Sequence, residues 1–69
     1  MKKIISFDFI TKRVDELIIE KITDYPYSTH IHYEGCTYPI ILTKEQAILF
    51  KEGHVIELHI GEVAIKLED

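Results

Sequence analysis

The chain is poor in the residues that staple, hinge or interrupt a protein: one cysteine, two prolines and three glycines among 69 residues. A lone Cys36 excludes a disulfide within the chain and agrees with a reducing, cytoplasmic setting. Pro26, Pro39, Gly35, Gly53 and Gly61 stand apart from one another, so no Gly/Ser-rich or Pro-rich linker divides the chain. Residues 1–69 therefore read as one small domain, without a repeat or low-complexity tract. Long apolar runs are missing too: the longest, Ala47-Ile48-Leu49-Phe50, has four residues, against the roughly 20 that a helix needs to span a bilayer. The opening Met-Lys-Lys-Ile-Ile starts like a secretion signal, but Asp8 breaks its apolar stretch and no small-residue cleavage site follows. No membrane association is expected.

Positive charge is the next shortage. Eight Lys and Arg against twelve Asp and Glu leave a formal net charge of −4. Broad binding of nucleic acid depends on clustered bases that neutralise phosphates. Here Lys2 and Lys3 lie at the start, Lys12 and Arg13 in an expected turn, and the others are dispersed among acids. Nucleic acid is an unfavoured partner.

What the sequence does hold is 46% hydrophobic and 29% charged residues in 8.1 kDa. A chain this small removes only about 60% of its unfolded surface from water, so self-association is a natural source of added stability.

Alternation predicts a first strand over Lys3 to Ile10, with Ile5, Phe7 and Phe9 on one face and Ser6 and Asp8 on the other. Thr11-Lys12-Arg13 then turns the chain. Val14 to Thr23 admits two readings. As a helix it gathers Val14, Leu17, Ile18 and Ile22 on one stripe; as a strand it offers several β-branched residues to a pleated surface. The strand is preferred, because Thr23-Asp24-Tyr25-Pro26-Tyr27-Ser28 reads as a hairpin connection and the segment after it is extended. Thr29 to Tyr33 alternates, Glu34-Gly35 signals a turn, and Cys36 to Leu42 returns. Pro39 has no N–H to donate, which places that returning strand at an edge.

Thr43-Lys44-Glu45-Gln46 has the form of a capping box and starts a short helix near 44–51. Ala47, Ile48, Leu49 and Phe50 supply its buried side, Lys51 lies in its last turn, and Gly53 ends it in the left-handed conformation. Val55 to Ile60 and Val63 to Leu67 form a closing hairpin around Gly61-Glu62, with Ile56, Leu58 and Ile60 facing the same way as Val63, Ile65 and Leu67.

These elements predict a mainly β fold. Five to six short antiparallel strands cannot all bury a face in one flat sheet of this size, so a small SH3-like or OB-like barrel with one short helix near 44–51 is expected. The alternative is α+β, with a helix over 13–24 packed on an antiparallel sheet. The run from Tyr33 to Leu58 resembles a pattern found in many small bacterial and phage β-domains, where a strand leads into a short helix and a Lys-Glu-Gly-Asp-Val-type turn opens the next strand. Here His54 stands in place of that Asp. The resemblance implies backbone geometry and no activity.

His30 and His32, two apart on a strand, point to the same face. A metal centre would need three or four ligands to converge, and the paired clusters usual for structural zinc are missing, so no metal or cofactor is expected. Cys36 with His32 is the one nucleophile and base pairing on offer, in a turn where a packed thiol is the commoner role. The glycines are isolated turn residues rather than a phosphate loop. Glu16 with Glu20, and Glu62 with Glu68, read as solvated surface charge, because a domain this small has little room for a water-excluding pocket. No enzyme is expected.

Tyrosines remain. Tyr33 and Tyr38 are expected to plug the ends of the barrel, leaving Tyr25 and Tyr27 exposed around Pro26. A ring with a hydrogen-bonding tip suits protein interfaces. The expected function is a non-enzymatic protein-interaction module, a small bacterial or phage regulatory or inhibitory protein. It would bind a partner protein, or a copy of itself, through Tyr25, Tyr27, His30 and His32. Nucleic-acid binding by a barrel face, and small-ligand or metal binding at the histidine face, are the alternatives.

Overall fold

A computed structural model describes residues 2–69. Six strands and one helix follow in the order β1 (Lys3–Asp8), β2 (Arg13–Asp24), β3 (Ser28–Tyr33), β4 (Ile40–Thr43), α1 (Lys44–Lys51), β5 (Ile56–Leu58) and β6 (Val63–Glu68). They form one antiparallel sheet in the spatial order β4-β3-β2-β1-β6-β5. The fold is mainly β, and the expected small antiparallel barrel is present as a curled half-barrel. The strand reading of residues 14–23 holds. The alternative helix over 13–24 does not form, because that segment is paired along its length with β1 and then β3.

The curl originates in β2. Its first half pairs with β1 and its second half with β3, and the register slips between Ile19 and Lys21. Two steps along β2 there match one step along β3, which leaves Glu20 as the extra residue of a β-bulge. Bulges bend a strand and increase its twist. This one also exchanges faces: Leu17 and Ile19 reach the core before it, Ile22 after it.

Ile4, Ile31, Leu42, Ala47, Phe50, Ile56 and Ile65 form the buried centre. That both terminal strands contribute, β4 through Leu42 and β5 through Ile56, shows how far the sheet wraps around. On β1 the core face is the Ile4 face. The expected inward set of Ile5, Phe7 and Phe9 lies on the outer side, where the Phe7 and Phe9 rings meet edge to face at 4.7 Å. Phe7 sits opposite Ala64 there, and the small Ala64 side chain is buried beneath its neighbours.

Helix α1 starts as expected. The Gln46 backbone N–H donates to Thr43 Oγ1 at 3.1 Å, and the Thr43 backbone N–H donates to Gln46 Oε1 at 3.0 Å. Gly53, at φ 95°, follows its end. Only Ala47 and Phe50 of the four expected apolar residues are buried; Ile48 and Leu49 face outward. The β5 strand is shorter, and the loop of the β5–β6 hairpin longer, than alternation predicts. Leu58 pairs with Val63, so His59 to Glu62 form the loop, and Ile60 lies outside the strand at φ 55°.

Candidate functional site

The two outermost strands of the sheet do not meet. No Cα of β4 comes within 8 Å of a Cα of β5, whereas paired strands lie about 4.8 Å apart. Helix α1, which joins the end of β4 to the start of β5, packs against β3, β4, β5 and β6 and covers that end of the opening. The other end is a cleft of about 500 Å³ lined by Tyr33, Tyr38, Pro39, Ile40, Ile41, Leu58 and His59.

Local sequence explains each wall of the cleft. Pro39 immediately precedes β4 and supplies no donor, in keeping with this strand's place at the edge, where it pairs with β3 alone. Ile40, opposite Ile31, points to the core side. Ile41, opposite His30, points outward and is 59% exposed. Tyr33 is half-buried, but Tyr38 is 80% exposed and is not a plug. His59 falls within the Val55–Ile60 strand expected from the sequence; it sits instead in the β5–β6 loop at φ 52° and closes the far wall. One imidazole and two phenols are the titratable groups of the cleft, with no carboxylate or thiol in its lining.

The four residues singled out from the sequence divide as follows. His30 and His32 share the outer face of β3, opposite Thr23 and Lys21 of β2 respectively. Tyr25 joins them: its ring lies 4.6 Å from the His30 ring, tilted by 55°, and its backbone N–H donates to the Ser28 carbonyl at 2.8 Å to close the turn. Tyr27, at the tip of that turn, is 91% exposed. The His30–Ile41 pairing brings this face to the rim of the cleft, since Ile41 belongs to both. Cys36 follows β3, with its backbone N–H donating to the Tyr33 carbonyl at 3.1 Å. Among the described residues, no three His, Cys, Asp or Glu side chains gather in a way that could hold a metal ion.

Sequence reasoning missed Ile41, Leu58 and His59 as parts of one site. The available signal was Pro39, which marked the edge strand, together with the apolar Ile41 on the face shared with His30.

A charged cluster ties the helix to the β2–β3 hairpin. The buried Thr29 hydroxyl donates to Asp24 Oδ1 at 2.8 Å, Lys51 Nζ approaches the carboxylate at 3.2 Å, and Lys44 Nζ lies 3.6 Å away. The Thr29 hydroxyl first, and then Lys51 and Lys44, hold the Asp24 carboxyl below its ordinary range. Elsewhere Lys3 is paired with Glu16 and Glu68, and Arg13 with Asp15. Among the described residues, no helix is long and apolar enough to cross a membrane. Comparison with protein-family models, with curated proteins and with solved structures finds no match.

Proposed function

We propose that this protein is a non-enzymatic interaction module, a small regulatory or inhibitory protein that works by binding a partner protein. The observation that carries this reading is one continuous surface at an unpaired sheet edge. It runs from Tyr25 and His30 across Ile41 to Tyr38 and the cleft. Interfaces are built from such patches: aromatic rings with polar tips, exposed apolar side chains and few charges at the centre. An edge strand with exposed apolar residues is also a recognised template for another chain. The make-up of the cleft supports a binding role over a catalytic one, since it presents no nucleophile with a base and an orienting group. The pairing of Lys3, Arg13, Lys44 and Lys51 with carboxylates disfavours a basic track for nucleic acid.

The test is affinity purification from the native cells, followed by titration of the purified captured protein in a calorimeter. A stoichiometric complex lost on Tyr25→Ala or Ile41→Asp, both at exposed positions, is the expected result. Failure of any purified protein to bind, or binding indifferent to both substitutions, rejects the proposal. Sedimentation over a range of concentrations decides the self-association branch, which an invariant 8 kDa species would remove.

A further inference from the structure

The protein-interaction reading leaves open what kind of segment the partner presents. We infer that the gap between β4 and β5 receives a short extended peptide segment with basic flanks, which adds to the free edge of β4. This rests on the reading proposed above and specifies its mode.

The open edge is the first observation. A strand inserted between two others holds them about 9.6 Å apart, twice the ordinary spacing; β4 and β5 are separated by more than 8 Å and share the same core. The facing edges of β4 and β5 are both unpaired, so the opening offers backbone groups along an edge, and an extended peptide is the ligand whose own backbone matches them. Direction follows from topology. Five successive antiparallel pairings leave β4 and β5 antiparallel to each other. A single added strand can be antiparallel to only one of them. It joins β4, which has four residues against the three of β5, and antiparallel pairing is the more stable per residue.

Chemistry of the walls is the second observation. Ile40, Leu58 and Pro39 receive an apolar side chain, while Tyr38 and Ile41 cover the neighbouring one on the opposite face of the added strand. The residues next in sequence to the lining that carry fixed charge are both acidic and both exposed: Glu34 after Tyr33, and Glu57 before Leu58. No Lys or Arg lines the cleft, and the chain is net negative. Lys or Arg on either side of the inserted apolar residues complements that field.

The test selects from a random ten-residue peptide library displayed on phage against the full chain, then titrates the enriched peptides as synthetic molecules. The expected winners alternate apolar and polar residues between basic flanks, and they shift the backbone amide resonances of β4 and β5. Methylating alternate peptide nitrogens, which blocks strand pairing and keeps every side chain, abolishes binding. The Glu34→Lys/Glu57→Lys double variant, altered only at exposed positions, weakens binding about tenfold or more and reduces its salt dependence; Tyr38→Ala gives a similar loss. Peptides that are helical or acidic, that tolerate nitrogen methylation, or that shift resonances only around Tyr25 and Tyr27 overturn the inference and leave the interaction module standing. A library that yields no binder also overturns it, while the calorimetric test of the purified partner judges the broader reading separately.

Discussion

Ile60 is expected to destabilise the molecule that contains it, and replacing it with Asn should raise the melting temperature. Its backbone lies at φ 55°, between His59 at 52° and Gly61 at 79°. Turns of this kind select Asn, Asp and Gly, and His is also tolerated at positive φ, whereas a β-branched residue there is an outlier. The left-handed conformation costs an ordinary L-residue about 1–2 kcal/mol. Nothing offsets this through packing, because the Ile60 side chain is fully exposed at 104%. Ile60→Asn relieves about 1 kcal/mol, which for a domain of this size corresponds to a gain of about 4–8 °C. Ile60→Gly relieves the same strain but returns roughly 0.5–1 kcal/mol through the freedom of the unfolded chain, so its gain is smaller. Ile60→Val, still β-branched, should leave the midpoint unchanged. Gly61→Ala supplies the converse: a Cβ there meets nothing closer than Glu57 Oε2 at 4.0 Å, so its loss of stability, about 1–2 kcal/mol, reports the backbone alone. Thermal unfolding followed by circular dichroism ranks the set as Asn, then Gly, then wild type with Val, then Ala at 61. An Asn variant that melts at or below the wild-type temperature refutes the reasoning.

Other perturbations follow from the core, the cap and the charge cluster. Phe50→Ala empties the largest fully buried position and should cost about 3–5 kcal/mol. Since a domain of this length carries only about 3–10 kcal/mol in total, urea titration should find the variant unfolded or nearly so. Thr43→Ala removes the Oγ1 that accepts from the Gln46 backbone N–H and leaves the backbone bond to Gln46 Oε1, and the urea midpoint should fall by an amount equivalent to about 1 kcal/mol. Asp24 has a lowered pKa in the folded state, so its stabilising contribution is fully present above the unfolded value of about 3.9. That contribution drains away as pH falls below this value and through the folded pKa. Melting temperatures from pH 6 to pH 2.5 should therefore decline more steeply for wild type than for Asp24→Asn. Deleting Glu20 removes the extra residue of the bulge, restores simple alternation from Ile19 to Ile22 and takes away the local bend that curls the sheet; a lower urea midpoint with cooperative unfolding retained is the expected result.

Much of the fold was legible because its signals are local. Thr43, Gln46 and Gly53 bracket α1 by chemistry that acts over a few residues. Pro39 located the edge strand through a missing donor. The inward face of β1 was read wrongly for a different reason: Ile4 on one side and Ile5, Phe7 and Phe9 on the other make both faces apolar. Only the partner strands reveal which side carries the core. Ile60 had no local sign at all, because its residue type argues for a strand and its backbone is set by the pairing of Leu58 with Val63. Of the candidate site, the shared face of His30 and His32 followed from alternation, and the exposure of Tyr25 and Tyr27 from the turn around Pro26.

The departure of residues 14–23 from simple alternation has the same physical origin as the curl of the sheet. A regular strand turns residues of one parity toward the core; in β2 the inward residues are Leu17, Ile19 and Ile22, because the bulge at Glu20 exchanges parity midway. Spacings of two and then three break strict alternation, while Val14, Leu17, Ile18 and Ile22 fall on one helical stripe, so periodicity alone supported both readings. The bulge that blurs the pattern also lets one long strand pair with β1 before it and β3 beyond it, so the sheet curls around a single core. Curling without closure leaves β4 and β5 facing each other across a gap. The cleft there is defined by strands that do not pair, between residues such as Ile40 and Leu58 that are distant in sequence. A pattern read along the chain contains no term for a missing neighbour, so the binding edge becomes visible only once the six strands are placed in order.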